Sequence, residues 1–331
     1  MDAQAILYIT FETIIGLVSV VGNGLVLVAI YKTPKLQTTT NCFIASLALA
    51  DLLVGIVVAP CAALSFLNLK MDFYACVFIN SVIILFTQVS IFGLLAVAIE
   101  RFVAIKHPFL YQRVMTVPRA IMALVVTWIF AILVGLVPMF GWNLGQTGYQ
   151  TCGFTFVIDM KYMVYFNFFG FVITPLIIVM LIYIYIFIIV KRQMRQIASL
   201  EVAAEGKKKN KKFLKEIKAA KSLAMVIGLF AVCWLPVHIS NTLSLICGMT
   251  CSPPYNFLLA AIVLSHANSV LNPFLYAHGN SQYKNAFRKI FFCGARTGQL
   301  NTDENSGINS NMTRDHVETR NGAVSSTMVK Y

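Results

Sequence analysis

Charge is scarce in this chain. Only 12% of its 331 residues are charged, and 13 acids stand against 26 Lys and Arg. With 58% hydrophobic residues and a mean hydropathy of +0.76, the composition excludes an ordinary soluble domain and points to a polytopic membrane protein. Eight cysteines lie scattered without metal-ligand spacing, which argues against a zinc site. No set of nucleophile, base and oxyanion donors appears, so nothing supports an enzyme. Internal repeats of the transporter kind are absent as well. The first apolar run continues to Tyr31 and is too long for a cleavable leader.

Apolar length is what the chain has. A hydrocarbon core about 30 Å thick takes about 20 residues of helix, and seven segments qualify: roughly 5–31, 41–66, 74–105, 118–140, 161–190, 219–247 and 254–277. The spacing predicts an all-α membrane protein, a seven-transmembrane helix bundle over 1–292 with a short amphipathic eighth helix at its end. The last span contains no lysine, which excludes a retinal Schiff base and a light-driven pump. All the Lys and Arg except Lys70 and Lys161 fall on one side of this topology. That bias makes their side cytoplasmic and the N-terminus external, and it attributes the positive charge to topology, with no nucleic-acid partner.

Connections are short except 142–160 outside and 191–218 inside, where Lys207–Lys212 is either a solvated extension near anionic lipid or a partner contact. From Ser281 to Phe292, Tyr283, Phe287, Ile290 and Phe291 recur at helical spacing with Lys284, Arg288 and Lys289 between them. This reads as a helix lying on the inner leaflet. Cys293 behind it is a palmitoylation candidate or a plain thiol. Residues 293–331 are polar and read as a disordered cytoplasmic tail.

The stretch Phe230–Asn241 carries Trp234, Pro236, His238 and Asn241 inside a span. Proline removes a backbone hydrogen bond and bends the helix. Trp234, His238 and Asn241 share one face, and a polar stripe there belongs against a cavity, not lipid. Asp51 interrupts the second span, with Asn23, Ser90, Asn268 and Asn272 as candidate partners. Such a carboxylate is either a monovalent-cation site, for which sodium is the candidate, or a protonated acid in a hydrogen-bond network. Glu100-Arg101 closes the third span, either as a boundary charge pair or, with Tyr183, Lys221 and Tyr276, as a docking end for a partner. Cys76 and Cys152 are a natural disulfide on the outer side, and Cys247 with Cys251 a second candidate pair. Phe154 packs locally unless the first disulfide tethers it over the bundle mouth. Glu12 is the ionisable partner expected for His266.

In order along the chain stand Gly22-Asn23, Leu47-Ala48-Leu49-Ala50-Asp51, Trp128, Pro175, Cys233-Trp234-Leu235-Pro236 and Asn272-Pro273-Phe274-Leu275-Tyr276. Together these resemble the rhodopsin-like (class A) G-protein-coupled receptors across nearly all of 5–292. Thr87-Gln88, Pro138–Asn143, Tyr162–Phe169, Ala220–Ala224, His238 with Asn241, and Leu264–Ser269 resemble the adenosine receptors in particular. The resemblance implies a plasma-membrane receptor for adenosine that activates a heterotrimeric G protein and changes cyclic AMP, with receptor kinases and arrestin as further partners and no cofactor beyond a structural sodium ion. By it, Asn241 would hold adenine with two amide hydrogen bonds while Phe154 stacks on the purine. Thr87, Ser265 and His266 would meet the ribose, and His238, Asn167 and Glu12 would add polar groups. Ile84, Met163, Val237, Leu258 and Ile262 would form apolar walls over a floor at Trp234. The rival is a class A receptor for a lipid or other small ligand; an amine is disfavoured because Ile83 stands where a counter-ion would be.

Three departures stand out. Glu100-Arg101-Phe102 replaces the family's aspartate, arginine and tyrosine. Phe102 thereby lacks a hydroxyl for the second inner loop. Thr155 follows Phe154 where a glutamate is frequent, and the one Asn-x-Ser/Thr sequon, at Asn311, lies in the tail.

Overall fold

A computed structural model describes residues 3–145, 149–198, 225, 228–250 and 253–292. Among the described residues, seven helices are long and apolar enough to cross a membrane: α1 (Ala3–Lys32), α2 (Thr39–Phe66), α3 (Phe73–Lys106), α4 (Val117–Gly135), α5 (Tyr162–Arg192), α6 (Gly228–Cys247) and α7 (Tyr255–Gly279). The surface helix α8 covers Ser281–Phe292. The expected architecture is present. α3 is the most enclosed span and packs on α2, α4 and α5, while α4 turns most of its surface outward. Rows of exposed Ile, Val, Leu and Phe on α1, α4 and α5 are the faces a hydrocarbon solvent requires.

Two spans contain wide turns beside a proline. α2 widens over Val54–Val58 just before Pro60, and α5 over Tyr162–Ile173 just before Pro175. Proline cannot donate to the carbonyl four residues back, and a wide turn lets the helix continue past the missing bond. The fourth span instead stops at Gly135, five residues short of the expected 140. Pro138 is the reason: it starts a separate 3-10 turn over Val137–Phe140 that ends on Gly141 at φ 113°.

The outer side holds a structure with no sequence signal. Strand β1 (Lys70–Asp72) pairs antiparallel with β2 (Tyr149–Thr151), with Lys70 opposite Thr151 and Asp72 opposite Tyr149. Next to this ribbon the Cys76–Cys152 disulfide is formed. Asp72 caps α3 by accepting from the amides of Tyr74 at 2.9 Å and Ala75 at 3.2 Å. Cys247 is also disulfide-bonded, while Cys251 lies outside the described residues.

At the inner end the expected leaflet helix forms, with one correction. Tyr283 does not face the leaflet. It is fully buried, stacks on Tyr276 at 5.6 Å, and donates its hydroxyl to Asn41 Oδ1 at 3.0 Å. Asn41 is held in turn by donating to the Leu36 carbonyl at 2.6 Å. A phenol fits this inward place because a buried hydroxyl partner waits there. The inner loop after α3 also contains an unexpected helix, Pro108–Val114.

Close helix approach depends on Gly135, where an added Cβ would lie 2.5 Å from Leu85 Cα. Gly135→Ala must push α4 off α3 and should cost about 1–3 kcal/mol. Thermal unfolding in detergent should show a clearly lower midpoint for it. Gly24→Ala, whose Cβ meets only Leu52 Cδ1 at 3.9 Å, should melt near the parent. Equal midpoints for the two variants would contradict this packing.

Candidate ligand-binding site

A cavity of about 270 Å³ opens between the outer ends of α1, α2, α3, α5, α6 and α7 and the loop that follows β2. The disulfide sets its roof. By tying that loop to α3 it brings Phe154 and Thr155 onto the cavity. The α6 stripe behaves as its spacing predicts: Trp234, Val237, His238 and Asn241 all line the space. Across from it stand Ile84 and Thr87 of α3, Met163 and Asn167 of α5, and Leu258, Ile262, Ser265 and His266 of α7. One expected contact residue does not reach it. Glu12 sits behind the wall, where both its carboxylate oxygens bind His266 Nδ1, at 3.0 and 2.9 Å. Its role is to orient that imidazole, leaving Nε2 for the cavity.

Several lining groups have unused hydrogen-bonding capacity. His238 is fully buried and stacked on Phe168 at 4.7 Å, and neither ring nitrogen has a partner. Tyr162 lies beside Asn167 but donates to the Val134 carbonyl at 2.8 Å, and the Asn167 amide keeps no bond of ordinary geometry. Trp234 Nε1 is likewise unpaired. Thr87 and Ser265 donate to the carbonyls of Ile83 at 3.1 Å and Ile262 at 2.7 Å, so their oxygens are left to accept. Buried polar groups without partners are costly in an empty protein and gain a partner when a polar ligand enters.

Sequence reasoning missed Tyr8, Ser65, Phe66, Asn80 and Tyr255 in the wall. Asn80 had a signal. It stands seven residues before Thr87, on the same face of α3.

Below the cavity, Asp51 is fully buried and accepts from Asn272 Nδ2 at 2.6 Å. Ser90 is there as expected. Ser269, not Asn268, is the other hydroxyl or amide from α7 at this carboxyl. Oδ1 has no bond of ordinary geometry. Asn23 turns away, donating to the Ser269 carbonyl at 2.9 Å, and Ser19 supports α2 by donating to the Asp51 carbonyl at 2.8 Å.

At the inner end Arg101 grips Glu100 through Nε at 2.5 Å and through its guanidinium at 2.6 Å, and it also donates to Thr40. Thr40 Oγ1 donates to Glu100 at 2.8 Å. The loop contact that Phe102 lacks is made from the other partner: Tyr111 of the inner-loop helix donates to Glu100 Oε1 at 2.5 Å. Phe102 packs on Tyr185 at 5.6 Å instead, with Lys106 Nζ 5.1 Å from each ring. Tyr183 lies within electrostatic reach of Arg101, and Tyr276 of Tyr183; both hydroxyls are buried and unpaired. Lys221 and Cys293 lie outside the described residues.

Seven membrane-spanning helices surround a buried acid, with an arginine–glutamate pair at one end and a disulfide-tethered cavity at the other. The family described as 7 transmembrane receptor (rhodopsin family) matches residues 22–276. The human adenosine receptor A2a is 40% identical over 296 residues, which cover 86% of this chain and 71% of that protein. The mouse adenosine receptor A2b is 39% identical over 319 residues, 90% of this chain and 94% of that one. The dog adenosine receptor A3 is 40% identical over 291 residues, 86% and 90% of the two chains. The chain therefore belongs to the rhodopsin family of receptors, in its adenosine-receptor branch. It is a multi-pass membrane receptor and not an enzyme.

Burial, and then Glu100, push the Tyr111 hydroxyl up to about 12. A raised value keeps the neutral donor form: the bond is complete below pH 10 and lost only as pH climbs through 12. Tyr111→Phe should lower stability by about 1 kcal/mol, modest because Tyr111 is half-exposed. The decrement should be flat from pH 6 to 9. Melting in detergent at several pH values checks it, and a decrement that titrates within that window would contradict the assignment.

Proposed function

We propose that this receptor binds extracellular adenosine at the outer cavity and, from its inner end, activates a heterotrimeric G protein that changes cyclic AMP. The observation that carries the reading is the union of Phe154, Asn241, His238 and Asn167 around one cavity. Phe154 offers an aromatic face to a purine. The amide of Asn241 offers a donor and an acceptor, the complement of the adenine amino group and its neighbouring ring nitrogen. Thr87 and Ser265 present acceptors and His266 an imidazole, groups that suit ribose hydroxyls. The names of the relatives support the same ligand. In this reading the N-terminus is extracellular, as the lysine and arginine bias requires. Arg101, Glu100, Tyr183 and Tyr276 form the coupling end, and receptor kinases and arrestin follow the G protein there.

Asn241→Ala leaves two groups of adenine unpaired, each at about 1–3 kcal/mol. The expected loss in affinity is about thirty-fold to over ten-thousand-fold. The measurement is binding of a membrane-impermeant adenosine analogue to intact cells, normalised to surface receptor, which also reports the side on which the cavity opens. Parent-like affinity in the variant would refute the adenine role.

The donor set at Asp51 fits a small monovalent cation. One carboxylate oxygen is unpaired, and hydroxyls of Ser90 and Ser269 stand beside it. Sodium held by Asp51, Ser90 and Ser269 would favour the bundle that encloses it, with Asn272 fixing the carboxylate. A ligand shifts an equilibrium only by its differential affinity, so sodium should weaken agonist binding while sparing antagonists. Asp51→Asn should remove that salt effect. An intact sodium response in Asp51→Asn, with potassium as the ionic-strength control, would eliminate the site.

A further inference from the structure

The turn that follows α4 exposes apolar surface that neither the cavity nor the bundle uses. No charged residue stands between Arg119, at the inner end of α4, and Asp159, just before α5. That stretch takes in nearly the whole outer connection, where a loop lying in water ordinarily carries charge. Within it Phe140 is 76% exposed and Trp142 40%. The turn is nonetheless held in place. Asn143 Nδ2 donates to the Pro138 carbonyl at 2.8 Å, and Trp142 packs on Tyr162 at 5.7 Å and on Phe166 at 5.5 Å. Its exposure is built in.

Depth and direction identify what covers it. α4 has 19 residues, which rise about 28 Å and just cross a hydrocarbon core of about 30 Å. The turn over Val137–Phe140 therefore falls at the headgroup level. Met122, Val126, Ile129 and Leu133 form the exposed row of α4, and Phe140 follows seven residues on, close to two helical turns. On neighbouring α5, Tyr165 and Phe169 share a face and are 60% and 49% exposed. Asp159 and Lys161, the first charges, precede Tyr162, so an indole packed on Tyr162 and Phe166 lies at the depth of that first turn. The patch continues the lipid-facing surface of two spans and stops where charge begins.

We propose that Phe140 and Trp142 form an interfacial anchor that seats the outer loop in the bilayer, against the glycerol region of phospholipids. A phenyl ring there lies among acyl chains, and an indole adds an N–H for ester carbonyls. Calling this leaflet the outer one rests on the proposed topology; the lipid contact itself does not. The anchor bears on the roof of the cavity. Asn143 bridges Ile158, and the Leu144 amide donates to the Val157 carbonyl at 3.2 Å. Val157 ends the short helix that begins at Phe154. The roof is thus tied to α3 by the disulfide and to the leaflet by this turn.

Tryptophan emission from the receptor in phosphatidylcholine nanodiscs, one receptor to a disc, tests it. Trp128, Trp142 and Trp234 are the three tryptophans, and subtracting the spectrum of Trp142→Phe isolates the one in the turn. That component should lose more emission to lipid brominated near the headgroup than to lipid brominated near the chain ends. Iodide in the water should quench it far less than it quenches free N-acetyltryptophanamide. Phe140→Trp, read against the parent, should add emission with the same profile, and its result does not depend on how Trp142→Phe folds. Strong iodide quenching without any effect of bromolipid puts the turn in water and overturns the anchor. Protection from both quenchers puts it against protein and overturns it equally. Stronger quenching from the chain ends overturns the interfacial depth.

Discussion

Lipid supplies no hydrogen bonds, and this constraint decides where every polar group in the spans must go. The chain has few such groups, and they are gathered along the bundle axis. Glu12 meets His266, Asp51 meets Asn272, Trp128 donates to Ser46 at 2.9 Å, and Glu100 meets Arg101, Thr40 and Tyr111. Apart from Glu100 with Arg101, neighbours on α3, each pairing joins different helices or a helix and a loop, so the few polar contacts also determine which helices are neighbours. The apolar remainder needs only to pack.

α3 is the element on which the others converge. The Cys76–Cys152 disulfide fixes its outer end to the loop that roofs the cavity, and Glu100 and Arg101 fix its inner end to α2 and the inner-loop helix. Between them, one face of the same helix carries Asn80, Ile84, Thr87 and, one turn deeper, Ser90. A change in what touches that face in the cavity therefore acts on a rod whose far end holds the inner charge cluster. α4 presses against this rod at Leu85, where Gly135 lets the two helices approach.

Most of this was legible, for a physical reason. Membrane thickness sets segment length, and a polar residue inside a span has so few partners that Glu12 with His266 was the expected pair and Asn272 stood among four candidates for Asp51. The α6 stripe was legible because 3.6-residue periodicity places Trp234, His238 and Asn241 together whatever the tertiary detail. What was hidden depended on contacts distant in sequence with no periodic trace. Three-residue strands have no pattern to read. Tyr283 looked like one more apolar residue of a surface helix because its partner, Asn41, is 242 residues away. Tyr111 joins the inner loop to Glu100, a contact Phe102 has no hydroxyl to make, and it does so from a loop that showed no helical signal. Ser65 was passed over because it is ordinary alone; only its hydrogen bond to Asn80, 15 residues on, places it at the cavity.

The groups left without partners are as informative as the pairs. Asn167, His238 and Trp234 at the cavity, Asp51 Oδ1 at mid-depth, and Tyr183 and Tyr276 near the inner end all hold buried polar atoms unsatisfied. A structure selected only for stability would fill or replace them, since each costs free energy in isolation. They are not scattered. They mark three levels of the bundle, at the cavity, at mid-depth and near the inner end, where the resting chain leaves a bond unmade. A single occupant at one level alters the relative energies of the conformations that satisfy the others, which is the only coupling a signal across the membrane requires. The unsatisfied atoms are thus where the fold is left open to its environment, and the paired ones are what keeps that openness confined to the axis.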